Sequence, residues 1–317
     1  MKLNINKPRF KNLACDLVLI SMILDSYNID IEVGFLDSWI FKYIKNDSNT
    51  LLSNRILSRE KHRDIIHANL KEYAGFEQKI YKFDDSNQAL DFIKHQIDNK
   101  NPITFNCDMA SLPWCLTDIH AQGHKTMVIN YSDNDLICID GAVPDESRLL
   151  LSYENFNKSF LDHCIAYSIN KTSINETDLI IKFKNTINNF LQKDTYKSIK
   201  LFSDEIKEYL NVFDEIKGYK YWFDSPLMVS LYEISKSREY FNYFFKYLIK
   251  KFNLSQFTSF TYKFDELIKN WHIVPDSLLK CFLKKNITIS DLKIISDYIN
   301  RNAEEEKKIA QNIIELF

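Results

Sequence analysis

The sequence predicts an α+β protein in which a mainly antiparallel sheet is followed by an all-helical region. Residues 102–169 contain several short apolar segments separated by polar turns, a pattern typical of strands and hairpins. Beyond residue 170 strand patterns almost vanish, and Phe, Tyr, Leu and Ile recur at three- and four-residue spacing. A strand-rich block followed by a helix-rich block is typical of the α+β class. We therefore expect two domains, 1–170 and 171–317, joined by a linker at about 172–177.

Length and charge exclude several functional classes. The 317 residues suffice for one large domain or two ordinary ones. The 41 Lys and Arg residues nearly balance the 43 Asp and Glu residues, which argues against a nucleic-acid-binding protein. No signal-peptide pattern opens the chain, and its apolar runs are far shorter than the roughly 20 residues of a membrane-spanning helix. We expect a cytoplasmic protein with neither nucleic-acid nor membrane partners.

Cysteine and glycine spacing argues against metal and nucleotide sites. None of the six cysteines forms a closely spaced pair of the kind that binds zinc. The five glycines are not clustered, whereas phosphate-binding loops need closely spaced glycines. We therefore expect no metal and no cofactor. The cysteines are Cys15, Cys107, Cys115, Cys138, Cys164 and Cys281.

The first element, residues 11–27, is apolar around most of its circumference and predicts a buried helix. Asn12 is the predicted N-cap, which places Cys15 in the first turn. Unpaired amide groups and the helix dipole there favour a thiolate, the form of cysteine that attacks carbonyl groups. The alternative is that Cys15 is one more small residue of the core, since unpaired cysteines are often buried.

Between this helix and the histidine strand, polar and apolar periodicities alternate. Residues 58–73 and 87–97 have helical spacing, whereas 78–83 and 102–107 have the short alternating or apolar patterns of strands. The aromatic-rich segment 36–43 fits neither period and stays unassigned.

Strands at 124–131 and 136–140, separated by four polar residues, predict a β-hairpin. His124 begins the first strand and Asp140 ends the second, so both lie at the open end of the hairpin. With a turn centred near residues 132 and 133, the two are almost directly opposite, with β-carbons roughly 5 Å apart. An aspartate there can hold the histidine tautomer. The alternative is that both are polar strand ends that face water.

The remaining elements follow from the same periodicities. We predict a short strand at 148–151, a helix at 154–161 and a closing strand at 163–169. Further helices are predicted at 176–193, 199–214, 226–236, 238–253, 262–270, 276–284 and 289–315.

Cysteine catalysis needs a base for the thiol proton and a third group that orients that base, which Cys15, His124 and Asp140 would provide. Trp114 lies in the loop that leads into the histidine strand, and loops beside catalytic strands often line substrate pockets. His120 and His124 have the i, i+4 spacing of a helical metal site. The intervening Ala-Gln-Gly disfavours a helix, and no third ligand is evident.

Several segments of the first half share a resemblance. They are Cys15 opening an apolar helix, 36–41 (LDSWIF), 112–114 (LPW), 120–124 (HAQGH), 128–131 (VINY) and 138–140 (CID). Together they resemble the butirosin biosynthesis protein H N-terminal domain family, which is similar to papain-like cysteine peptidases. The resemblance covers about residues 9–170 and, more loosely, the helical half. Gly141 stands where a proline commonly follows the aspartate, and Asn130 stands where a glycine commonly precedes the tyrosine.

The resemblance implies a papain-like domain in which Cys15 is the nucleophile, His124 the general base and acid, and Asp140 the orienting residue. It also implies acyl transfer from a carrier-protein thioester to a small amine or peptide in antibiotic or peptide biosynthesis. Asn12 is one candidate for the oxyanion donor, and the backbone amide of Cys15 is another. Trp39, Trp114 and His120 are candidates for the substrate pocket. A peptidase or amidase of the same fold, or a catalytically silent binding module, remains an alternative.

Overall fold

A computed structural model describes most of the chain and divides it into two compact units. The described residues are 5, 8–10, 12–45, 50–56, 59–115, 123–143, 148–170, 176–192, 195–209 and 211–317. The first unit combines Met1–Ile31 with Leu70–Ser173, and the second combines Glu32–Asn69 with Ile174–Phe317. The expected single division after residue 170 therefore needs one correction, because the segment 32–69 groups with the helical second unit. The chain combines helices with one sheet, and its strands lie in the first part of the sequence. This arrangement agrees with the α+β class.

The first unit contains the sheet. Its helices and strands are α1 (Cys15–Ser26), the end of α2 (Arg59–Ala74), β1 (Phe76–Lys82), α3 (Ser86–Asp98), β2 (Ile103–Cys107), β3 (His124–Tyr131), β4 (Asp135–Asp140), β5 (Leu149–Ser152), α4 (Tyr153–Ser159) and β6 (Phe160–Ile169). Among the described residues the six strands form one sheet in the order β1-β6-β2-β3-β4-β5, and every neighbouring pair is antiparallel. The predicted strands and helices of this region are confirmed to within a few residues at their ends.

Helix α1 is buried as predicted. Its residues 17–24 are all buried, and the helix packs against β3 and β4. The predicted cap is wrong, however. Ala14, in an extended conformation (φ −63°, ψ 149°), is the N-cap and makes no side-chain capping bond, whereas Asn12 lies two residues earlier and is exposed. Cys15 is consequently the first residue of the helix, still within the predicted first turn.

The β3–β4 hairpin is confirmed, but its register differs from the predicted one. Tyr131 pairs with Leu136 next to the turn, and a bulge interrupts the pairing between Val128 and Asn130. As a result Asp140 pairs with Thr126 rather than with His124. Because strand side chains alternate between faces, His124 lies two residues from Thr126 on the same face and remains within diagonal reach of Asp140.

The second unit is helical in its described C-terminal part. Its helices are α5 (Glu176–Gln192), α6 (Thr195–Ile206), α7 (Pro226–Phe252), α8 (Thr258–Leu283) and α9 (Ile289–Glu315). Two predicted pairs of helices are single long helices, α7 and α8, and α8 continues through Pro275. Proline removes one backbone hydrogen bond, but tertiary packing can outweigh that local loss. In the described chain no helix is both long and apolar enough to cross a membrane.

A buried carboxylate explains why the segment 32–69 belongs to the second unit. Glu306 of α9 has no exposed side-chain surface and accepts hydrogen bonds from the indole N–H groups of Trp39 (2.8 Å) and Trp271 (2.6 Å). Arg238 of α7 donates to both of its oxygens, at 2.8 and 2.9 Å. The Trp39 ring also stacks on Phe190 at 4.4 Å between centroids. Trp39 is thus a core residue of the helical unit.

The Glu306→Gln variant should lower the free energy of unfolding by about 3–5 kcal/mol, because it leaves the buried guanidinium of Arg238 without a compensating charge. Urea unfolding followed by circular dichroism measures this loss. The matched control is Glu305→Gln at the adjacent position, where the side chain is 45% exposed and its Lys308 partner lies 3.9 Å away. The control should stay within about 0.5 kcal/mol of wild type. Equal losses in both variants would contradict the role assigned to Glu306.

Candidate active site

Cys15 stands where a helix begins. The first helical hydrogen bond runs from the amide of Val18 to the carbonyl of Ala14 at 2.9 Å, so Cys15 occupies the first helical position. The backbone amide groups and the dipole of this end favour a negative charge. Cys15 is partly exposed, whereas residues 17–24 of the same helix are buried. Cys15 therefore lies outside the buried stretch of α1, at the helix end where a negative charge is favoured.

His124 and Asp140 form the pair that the sequence predicts. The Nε2 atom of His124 lies 2.9 Å from Oδ1 and 2.8 Å from Oδ2 of Asp140. The side chain of His124 is 7% exposed and that of Asp140 is fully buried, so water does not compete for the contact. Because Nε2 carries the proton that faces the carboxylate, Nδ1 is the nitrogen left with a lone pair in the neutral ring. Nδ1 is therefore the atom that can accept a thiol proton.

Asp140 is held by more donors than His124 alone. Trp114 Nε1 donates to Oδ2 at 2.9 Å, Thr126 Oγ1 donates to Oδ2 at 3.2 Å, and the amide of Ala142 donates to Oδ1 at 2.8 Å. Burial by itself raises the pKa of Asp140, but the hydrogen bond and charge of His124, then the Ala142 amide and Trp114, lower that pKa further than burial raises it. Asp140 is therefore an ionised carboxylate that orients the imidazole.

Gly141 connects this pair to helix α1. A β-carbon on Gly141 would lie 2.3 Å from the carbonyl oxygen of Cys15 and 2.8 Å from its Cα atom, far inside contact distance. Only a residue without a side chain permits that approach. The strand that ends in Asp140 therefore reaches the backbone of Cys15 through the next residue. This contact explains why a glycine follows Asp140.

Two further cysteines lie around the pair. Cys107 pairs with His124 across β2 and β3, and its Sγ donates to the His124 carbonyl oxygen at 3.4 Å. Burial is the main cause that raises the pKa of Cys107 to about 12, so it is an inert thiol. Cys115, one residue after Trp114, is partly exposed. Burial, followed by the negative charges of Asp140 and Cys15, raises its pKa to about 11.

The other residues predicted for the site lie in different parts of the structure. Trp114 does reach the site, but as a hydrogen-bond donor to Asp140. Trp39 lies instead in the core of the second unit, which corrects its assignment to the pocket of Cys15. Asn12 is exposed ahead of the helix, and His120 lies outside the described residues. Within the described ranges no group of three His, Cys, Asp or Glu side chains is placed to hold a metal ion.

The roles of Thr126 and Cys107 were missed at the sequence level. Both residues sit on the histidine face of the sheet, Thr126 two positions after His124 and Cys107 opposite it. The period-two spacing of Thr126 was visible in the sequence. The position of Cys107 required the β2–β3 register, which the sequence does not reveal.

Comparison with known proteins adds no assignment. No protein-family model matches this chain, and no curated protein matches it either. Function is therefore inferred from the chemistry of the site.

The Asp140→Asn variant tests the buried carboxylate. An amide presents its NH₂ group to N–H donors, so we expect the free energy of unfolding to fall by about 1–3 kcal/mol at neutral pH. The pKa of Asp140 in the folded protein lies below the ordinary value of 3.8. Its contribution is thus complete above about pH 4 and is lost as the pH falls through the folded-state value.

Urea unfolding of wild type and Asp140→Asn between about pH 7 and pH 3 checks this dependence. The difference in unfolding free energy should stay constant down to about pH 5 and shrink below about pH 4. Asp133→Asn, in the exposed hairpin turn, is the control and should track wild type throughout. A difference that grows as the pH falls would mean that Asp140 is not held ionised.

The Gly141→Ala variant tests the contact with Cys15. The added methyl group must displace the Cys15 backbone, so we expect a loss of about 1–3 kcal/mol in stability and slower alkylation of Cys15. Gly218→Ala is the control: its β-carbon would meet nothing within 4 Å, although its φ of +88° costs about 1 kcal/mol. Alkylation of Cys15, followed by peptide mass spectrometry, should be unchanged in Gly218→Ala. Equal alkylation rates in Gly141→Ala and wild type would remove the proposed link.

Proposed function

We propose that this protein is a cysteine-dependent acyl-transfer enzyme with a papain-like catalytic unit and a helical second unit. Cys15 is the nucleophile, His124 the general base and acid, and Asp140 the residue that orients His124. The observation that carries the proposal is that Asp140 binds Nε2 of His124 while the next residue, Gly141, touches the backbone of Cys15. Nucleophile helix and base strand therefore meet at one strand end, as a thiol–imidazole pair requires.

The reaction would proceed through an acyl-enzyme. Nδ1 of His124 takes the thiol proton, and the Cys15 sulfur attacks the carbonyl carbon of a thioester or amide. The leaving thiol or amine receives the proton from His124 as its bond to the acyl group breaks. An amine or water then attacks the acyl-enzyme, gives a proton to His124 and returns Cys15 to its starting state. Asp140 stays ionised throughout and stabilises the transient imidazolium.

The oxyanion of the tetrahedral intermediate needs hydrogen-bond donors. The backbone amide of Cys15, at the first position of α1, is the first candidate. The side chain of Asn12 is the second, because Asn12 precedes the helix by three residues and is exposed.

The resemblance supports an acyl donor carried as a thioester on a carrier protein and an acceptor that is a small amine or peptide. It also supports a place in antibiotic or peptide natural-product biosynthesis in the cytoplasm, without a cofactor. The same three residues serve a peptidase or amidase equally well, with water as the acceptor. Acceptor identity depends on the pocket walls rather than on the catalytic residues.

A catalytically silent binding module is the alternative from another class. It would keep the fold but would not need a reactive thiol at the helix start. Iodoacetamide at mildly acidic pH separates the two, because only a cysteine with a lowered pKa is largely thiolate there. In the enzyme, Cys15 is alkylated faster than the other five cysteines. In a silent module it is not.

Incubation with a simple acyl thioester, followed by intact mass spectrometry, tests the proposal. Wild type should gain the mass of one acyl group, and Cys15→Ala should gain none. His124→Ala should acylate about 10²–10⁴ times more slowly, because the proton acceptor is lost. Cys281→Ala, a thiol of the second unit far along the sequence, is the control and should acylate like wild type.

Addition of a small amine then identifies the acceptor. Faster loss of the adduct with formation of the amide indicates transfer, whereas loss at an unchanged rate indicates hydrolysis. No adduct, together with a Cys15 that resists alkylation, would refute the enzyme in favour of the binding module. An adduct that persists in Cys15→Ala would mean that another residue is the nucleophile.

A further inference from the structure

Two cysteines differ from the others in exposure. Cys15 and Cys115 are partly exposed, whereas the other four thiols are buried in the cores of the two units. The partly exposed pair belongs to one unit and is separated by 100 residues in the sequence. The catalytic proposal uses only Cys15, so a second accessible thiol in the same unit has no assigned role.

Each thiol is connected to one of two consecutive residues, Asp140 and Gly141. Trp114, next to Cys115, donates its indole N–H to Asp140 at 2.9 Å. A turn closed by the Cys115 amide and the Leu112 carbonyl, at 3.1 Å, supports this position. On the other side, Gly141 lies against the Cys15 backbone. A β-carbon added to Gly141 would lie 2.3 Å from the Cys15 carbonyl oxygen. Cys15 therefore contacts the dipeptide Asp140–Gly141 directly, and Cys115 follows a residue, Trp114, that contacts it.

We propose that Cys115 is a resolving cysteine, which forms a reversible disulfide with Cys15 when hydrogen peroxide oxidises the nucleophile. The disulfide would switch off the site and protect Cys15 from irreversible oxidation. Its meaning as regulation rests on the proposed acyl-transfer function. The thiol chemistry itself can be tested whatever the substrate is.

The chemistry balances with hydrogen peroxide as the only added reactant. The Cys15 thiolate attacks one peroxide oxygen, the O–O bond breaks, and the hydroxide that leaves takes up a proton to become water. Cys15 is now a sulfenic acid. The Cys115 sulfur then attacks the Cys15 sulfur, the S–O bond breaks, and the departing hydroxide takes the proton of Cys115. Two thiols are oxidised to a disulfide, and one peroxide is reduced to two waters.

The electrostatics assign the order of these steps. Burial, and then the charges of Asp140 and Cys15, hold the pKa of Cys115 at about 11, so at neutral pH it is a protonated thiol that peroxide attacks slowly. Cys15, at the helix start, is the first target. Once Cys15 is an uncharged sulfenic acid, one of the charges that raise the pKa of Cys115 has disappeared. Thiolate formation at Cys115 therefore becomes easier at the stage when it is needed.

A competing thiol is Cys107, which pairs with His124 on the neighbouring strand. It is buried, its sulfur already contacts the His124 carbonyl and Thr126 Oγ1, and its pKa is raised to about 12. A disulfide at Cys107 would have to break these contacts within a paired strand. Cys115 lies outside the strands and helices, where the backbone can adjust to disulfide geometry.

Peroxide titration of the full chain, with alkylation and peptide mass spectrometry, tests the proposal. Wild type should lose two hydrogens in mass and yield a Cys15–Cys115 cross-linked peptide, and dithiothreitol should restore alkylation of Cys15. In Cys115→Ser, oxidation of Cys15 should continue to the sulfinic acid, which dithiothreitol does not reduce. After reduction, the fraction of Cys15 that can be alkylated should be about tenfold lower in this variant than in wild type. Cys281→Ser, in the second unit, is the control and should behave like wild type.

Three results would overturn the proposal: a disulfide to any other cysteine, cross-links between chains, or equal recovery of Cys15 in wild type and Cys115→Ser. This test is independent of acyl transfer. A Cys15–Cys115 disulfide without an acyl-enzyme would keep the redox pair and refute the proposed function. An acyl-enzyme without the disulfide would keep the function and refute the switch.

Discussion

The candidate site depends on one buried carboxylate. Asp140 has no exposed surface, and an unpaired charge there would cost several kcal/mol. Hydrogen bonds from His124, Trp114, Thr126 and the Ala142 amide remove that cost. Because two donors belong to β3 and one to the segment that carries Trp114, satisfying Asp140 also positions that strand and that segment. Stability of the unit and orientation of the imidazole thus have the same physical cause.

The same carboxylate places the thiols. Gly141 follows Asp140 and lies against the Cys15 backbone, while Trp114, bound to Asp140, precedes Cys115. The contacts of Asp140 and its neighbour therefore also place Cys15 and a second thiol, Cys115, beside the same strand end. After burial, the negative charge of Asp140 is the next largest cause that raises the pKa of Cys115. The proposed catalysis and the proposed redox control both depend on the negative charge of Asp140.

The second unit also contains a buried carboxylate that is surrounded by hydrogen-bond donors, and there it stabilises the helical core. Glu306 is as buried as Asp140, and Arg238 together with two indole N–H groups satisfies it. One of those indoles belongs to Trp39, in the segment that precedes the sheet. Sequence patterns did not assign that segment, because the partners of Trp39 lie on helices about 150 residues or more later. Long-range polar pairing, unlike helical periodicity, leaves no local signal.

Local periodicity by itself determined the buried helix α1, the β3–β4 hairpin, the helical second half and the Cys15, His124 and Asp140 candidates. Each of these depends on neighbouring residues, whose spacing reflects burial within one element. Only the tertiary structure decided the Thr126–Asp140 register, the donors that Trp114 and Ala142 supply, the need for glycine at Gly141 and the place of Trp39. Those features depend on contacts between distant elements, which packing selects and sequence spacing does not encode.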